Sequence, residues 1–162
     1  MEETLSKSVV RGHTARSVVA SLELMVPAHR ESLDNIRTHT IQFLRAQLGE
    51  AMKRFPMDEV MLAVQEACAN VVRHAYKSCE VPGILGLRTQ FFPGMVRFTV
   101  TDEGPGYDPS SVPPPNFSNP TDGGYGVHLM RETMSKVSYY RGECCNELML
   151  DMVTTPEDSE VS

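Results

Sequence analysis

Residues 59–76 read EVMLAVQEACANVVRHAY, and at about 100° per residue they separate into two faces. Val60, Met61, Val64, Ala67, Cys68, Val71 and Val72 fall within an arc of about 140°, the width expected of a helix lying on a core. Glu59, Glu66, Asn70 and His74 gather on the other side, and the last three are successive i, i+4 neighbours. A solvated polar face is the simplest account of that row. Asn70 resists it, because asparagine inside a helix competes for backbone hydrogen bonds. An amide oxygen turned toward a hydrated Mg²⁺ is one reason to keep it there.

The flanking sequence supplies the rest of the architecture. Upstream, Val18, Ala20, Leu22, Leu24 and Val26 alternate with Val19, Ser21, Glu23 and Met25, a half-buried strand ended by Pro27. Leu33, Ile36, Thr40, Leu44 and Leu48 then mark a helix over about 32–48, with Gly49 beyond its end. The 59–76 segment belongs to a second helix, from about Met57 to Tyr76. Downstream, the strands 84–92 and 95–101 are joined by Pro93-Gly94, a turn dipeptide between apolar runs.

Residues 107–124 carry Pro109, Pro113, Pro114, Pro115 and Pro120 among Ser, Asn and Gly. Proline at that density predicts a long loop, of the kind that serves as a lid. A third helix starting near Gly126 and strands over 137–141 and 147–153 close the chain. Strands grouped apart from helices predict an α+β fold. The expected form is a two-layer sandwich, a mixed but mostly antiparallel sheet with the helices on one face. Residues 1–16 read as a disordered leader, 17–154 as the folded domain and 155–162 as a flexible tail.

The bulk properties narrow the function classes. A chain of 162 residues, 41% hydrophobic and 22% charged, suits one globular domain. A formal net charge of -6 disfavours direct binding to nucleic acid or to an anionic membrane. No apolar run reaches the ~20 residues of a membrane span, and the first sixteen residues lack the apolar core of a secretory signal. The expected location is the cytoplasm. Cys68, Cys79, Cys144 and Cys145 have neither zinc-ligand spacing nor a disulfide pattern and read as reduced thiols.

Two glycine motifs follow the polar helix. Asp102-Glu103-Gly104-Pro105-Gly106 leaves the strand 95–101. A carboxylate there can accept a hydrogen bond from the adenine amine, and the glycines let the backbone pass close to the ring. An acidic turn closing a strand would look the same. The second motif, Gly123-Gly124-Tyr125-Gly126-Val127-His128-Leu129-Met130, ends the proline-rich loop and enters a helix. Free N–H groups at a helix N-terminus form a phosphate site, although a glycine hinge is an equal reading. Neither a βαβ unit nor a Gly-Lys-Ser/Thr follows, which excludes the Rossmann and P-loop motifs. The order of the three motifs, polar helix, DEGPG, lid and GGYGVHLM, is a joint pattern that chance rarely supplies.

In that order the chain resembles the GHKL ATPase superfamily with its Bergerat ATP-binding fold, over about residues 18–153. EACANVVRHAY is similar to the N box of the bacterial anti-sigma-factor serine/threonine kinases. The resemblance implies ATP and Mg²⁺ as cofactors and a role for each matched position. Asn70 matches the Mg²⁺-ligating asparagine and Glu66 the general base. Asp102 matches the adenine-reading aspartate, with Gly104 and Gly106 beside the base. Gly124 and Gly126, with Gly123, Tyr125 and Val127 around them, match the glycines that hold the triphosphate. Arg73 and His74 line the same helix face, His74 as a packing residue rather than a catalyst. Arg37 matches by spacing an arginine used toward partner or phosphate. The resemblance also implies a homodimer, a sigma factor held inactive, and a STAS-domain antagonist as phosphoryl acceptor.

The loop between Tyr107 and Tyr125 holds no Lys or Arg, and Asp122 sits beside the phosphate glycines. Charge stabilisation then falls on Mg²⁺, helix N–H groups, and Arg37, Arg73 or Lys77. Two alternatives to the kinase follow: a nucleotide-gated binding module without catalysis, and an ATPase subunit of a phosphorelay.

Overall fold

A computed structural model describes residues 17–77, 79–106, 108–119 and 124–154. The leader 1–16, the tail 155–162, Asp122 and Gly123 lie outside the described residues. The elements run β1 Ala20–Pro27, α1 Ser32–Leu48, α2 Met57–Asn70, β2 Ile84–Phe92, β3 Met95–Asp102, α3 Tyr125–Thr133, β4 Lys136–Arg141 and β5 Asn146–Val153. The sheet order is β1-β2-β3-β5-β4. Each of the four ladders is antiparallel, so the expectation of a mostly antiparallel sheet is met at every described pairing.

Alternation within each strand sends one set of side chains toward the helices. The register lines up Leu24, Leu87, Val100, Leu148 and Tyr139 across all five strands, and Leu22, Thr89, Phe98, Leu150 and Val137 in the next row. Against those rows pack Ile36 and Leu44 of α1, Val60, Met61, Val64 and Cys68 of α2, and Val127 and Met130 of α3. Helices thus cover one face, as a two-layer sandwich requires. The opposite face carries ion pairs, Arg97 with Asp151 at 2.7 Å and Arg88 with Glu23 at 3.6 Å.

The second helix departs from expectation at its end. It is α-helical only to Asn70, and Val71–Ala75 form a π-helical turn. A π turn inserts one extra residue per turn and occurs most often beside functional sites. β1 ends at Pro27 as expected, with Pro27 paired to Ile84; β1 is an edge strand, where proline is tolerated. The proline-rich loop holds a short 3₁₀ turn at Pro109–Ser111, capped by Asp108, whose carboxylate accepts from the Ser110 N–H at 2.8 Å.

Candidate functional site

The core-facing arc of α2 is buried as its spacing predicts, with Val72 half-buried. Cys68 sits in it, and burial pushes its thiol up to about 12, which keeps it protonated and unreactive. Asn70 is the polar residue that the helix buries, 8% exposed. Its side chain has no hydrogen-bond partner among the described residues. It lines a cavity of about 260 Å³ with Glu66, Arg73, His74, Gly124, Tyr125, Gly126 and Val127. The polar helix face and the second glycine motif therefore meet.

Gly124 begins α3 with φ 83°, a conformation that favours glycine. Gly126 lies against α2 so closely that a Cβ would come within 2.5 Å of Glu66 Oε2. Glu66 is held from the other side by Arg73, whose Nη2 donates to Oε2 at 3.3 Å while its Nε donates to the Ala69 carbonyl. With side chains 32% and 55% exposed, this pair is worth at most about 1 kcal/mol. It is easily exchanged. The His74 imidazole is held below its ordinary value by desolvation, with the charges of Arg73 and Lys77 adding. It is therefore neutral near pH 7.

The first glycine motif closes on the far end of the same helix. A Cβ on Gly104 would strike the Ala75 carbonyl at 2.1 Å. Tyr76 clamps the approach: its hydroxyl donates to the Ile84 carbonyl at 2.5 Å and accepts from the Glu103 N–H at 2.8 Å. Gly106 has φ 86° and stands against the hydroxyl of Tyr139, a buried group without a hydrogen-bond partner.

Asp102 is buried, and its Oδ1 accepts from the Gly104 N–H at 3.0 Å and from Asn146 Nδ2 at 3.0 Å. Its other oxygen has no protein partner among the described residues. A buried carboxylate with one oxygen fixed and one free fits an adenine amine. The glycine cradles fit a base and phosphates. For Mg²⁺, the described residues hold no cluster of three or more His, Cys, Asp or Glu ligands. A lone amide oxygen completed by phosphates and water suits that ion's habits.

Sequence reasoning missed Asn146, which besides Asp102 donates to the Gly104 carbonyl at 2.9 Å. Its signal is the sheet register alone, which sets it opposite Asp102. Arg131 was also missed. Its Nη2 donates to the Pro109 carbonyl at 2.6 Å and anchors the base of the lid to α3. Arg37 is half-buried on α1 and lines none of the described cavities. The cation that shares a second cavity with Arg73, of about 390 Å³, is Arg30.

A polar helix face met by a glycine-capped helix, and a glycine turn and a strand-end carboxylate at the far end of the same helix, are the parts of a nucleotide-binding ATPase domain. Residues 26–152 match the family described as histidine kinase-like ATPase domain, and the chain belongs to that family. Relatives within it are serine-protein kinases. One is serine-protein kinase RsbW of Halalkalibacterium halodurans, 31% identical over 125 residues, 72% of this chain and 74% of the relative. RsbW of Bacillus subtilis is 29% identical over 124 residues, 72% and 75% of the two chains.

The fold is also similar to a crystal structure of the RsbU and RsbW domains of a Mycobacterium tuberculosis protein. The TM-score is 0.57 at 17% identity over 83% of this chain, which spans 32% of that one. The expected GHKL-type fold and the expected kinase branch agree with these relatives. No helix among the described residues is long and apolar enough to cross a membrane.

Proposed function

We propose that the chain is an ATP-dependent serine/threonine protein kinase that phosphorylates a STAS-domain antagonist and sequesters a sigma factor or another partner. The observation that carries this reading is the single cavity in which Glu66 and Asn70 face Gly124–Val127. Asp102, fixed by Asn146, reads the adenine amine, with Gly104 and Gly106 under the ring. The N–H groups at the start of α3 face the phosphates. Mg²⁺ bound at Asn70 supplies neutralisation of phosphate charge.

Glu66 accepts the proton of the substrate serine as its Oγ–phosphorus bond forms and the bond to the β-phosphate oxygen breaks, releasing ADP. Arg73, tied to Glu66 only by a weak exposed pair, exchanges that carboxylate for phosphate and provides the cation that the lid lacks. His74 stays a neutral wall of the cavity. Arg37, half-buried on α1, is assigned to the partner side.

The domain is placed at residues 17–154, supported by β1 starting at Ala20 and β5 ending at Val153. A cytoplasmic homodimer, as the family resemblance implies, completes the reading, and the net charge of -6 supports the absence of direct nucleic-acid contact. The test is incubation of purified protein with Mg-ATP and a STAS-domain protein, followed by mass spectrometry of the acceptor. Phosphoserine that disappears in Asn70→Ala is expected; its absence with wild-type protein overturns the kinase. A second reading, a nucleotide-gated binding module without catalysis, is favoured by the Glu66–Arg73 pair and the cation-free lid. ATP turnover abolished by Asn70→Ala contradicts it.

A further inference from the structure

A third cavity, of about 440 Å³, lies between α2 and α3 and shares Glu66, Tyr125 and Gly126 with the cavity at Asn70. Leu62, His128, Leu129 and Glu132 form its outer walls. Leu62 is 49% exposed, the one large apolar side chain of α2 left open to water. On the lid, Phe117 is 71% exposed and packs edge-on against Tyr125 at 5.8 Å and His128 at 5.7 Å. An apolar floor thus runs from solvent to Glu66, and its charged groups are acidic, Glu132 at the mouth and Glu66 at the end. The neighbouring Arg131 is engaged with the Pro109 carbonyl.

We propose that this groove docks the serine-bearing segment of the protein substrate, with an apolar side chain on Leu62 and Leu129 and a basic residue facing Glu132. The inference rests on the kinase reading and names what that reading leaves open, the path by which a protein hydroxyl reaches Glu66. Two observations on the molecule select this occupant. The groove is continuous with the proposed nucleotide cavity through Glu66. Its rim charge disfavours an acidic segment, which would face the Glu132 carboxylate, while Glu66 carries Arg73 as its partner. Leu62 and Leu129 supply apolar surface for the desolvated part of such a contact, with Glu132 as a charge on its polar rim.

The test uses the full chain, Mg-ATP and the STAS-domain protein on which the wild type forms phosphoserine. Leu62→Asp and Glu132→Lys alter exposed positions, and melting temperature confirms that each variant is folded. Each is expected to raise KM for the STAS-domain protein about tenfold or more, with affinity for a fluorescent ATP analogue unchanged. Replacing the partner's basic residue by Glu is expected to restore the Glu132→Lys variant. Unchanged KM in both variants overturns the groove and leaves the kinase standing. A parallel fall in nucleotide affinity also overturns it, since the residues would then act through the ATP site. No phosphoserine with the wild type overturns the kinase reading and the docking together.

Discussion

Asn146 makes two hydrogen bonds that fix the proposed adenine site, to Asp102 Oδ1 and to the Gly104 carbonyl. Removing its amide frees the Asp102 carboxylate to turn and leaves that buried acceptor and the half-buried Gly104 carbonyl short of a donor. Asn146→Ala is expected to weaken ATP binding at least about tenfold and to cost about 1–3 kcal/mol of stability. Nucleotide titration and urea unfolding measure the two effects. Tyr76 serves the other side of the same turn, and burial holds its phenol above the ordinary tyrosine value against the opposing pull of the Glu103 hydrogen bond. A raised value means the fold prefers the neutral phenol. Its stabilisation is therefore full below the ordinary tyrosine range and declines as pH rises through the raised value. Tyr76→Phe is expected to lose about 1 kcal/mol at neutral pH and to flatten that alkaline decline in unfolding free energy.

At the scale of elements, α2 was the most legible part of the chain. Its apolar spacing located the core face, and its polar row located Glu66 and Asn70. The π turn at Val71–Ala75 was not legible, because hydrophobic spacing over one turn cannot separate a π turn from an α turn. Asp102 could be read from its own neighbours, a strand running into DEGPG. Asn146 could not: it stands after Cys144-Cys145 as the first residue of a strand, and only pairing across 44 positions brings it to Asp102. The contact of α3 with α2 depends on Gly126, which leaves no room for a Cβ beside Glu66. Gly126→Ala is expected to keep the melting temperature but displace the carboxylate and slow phosphoryl transfer about 100-fold, the cost of a ~1 Å misplacement. The lid hangs on α3 through Arg131. In Arg131→Ala, hydrogen exchange over residues 109–119 is expected to show an opening free energy lower by about 1–2 kcal/mol.

For the whole molecule, the α+β class followed from strands grouped apart from helices, but the sheet order β1-β2-β3-β5-β4 did not. That order matters because it sets β5 beside β3 and brings Asn146 to Asp102. Of three motifs that singly allowed a bland reading, the polar helix face and the glycine hinge share one cavity, and the acidic turn packs against the end of the same helix at Ala75. As the base of a protein kinase, Glu66 must take part in transfer and not merely neighbour the nucleotide. Single-turnover transfer from ATP to the STAS-domain serine, at saturating nucleotide, compares wild type with Glu66→Gln. The same ATP affinity and a transfer rate at least about 100-fold lower are expected. Equal transfer rates in the two proteins would overturn the role of Glu66 as base.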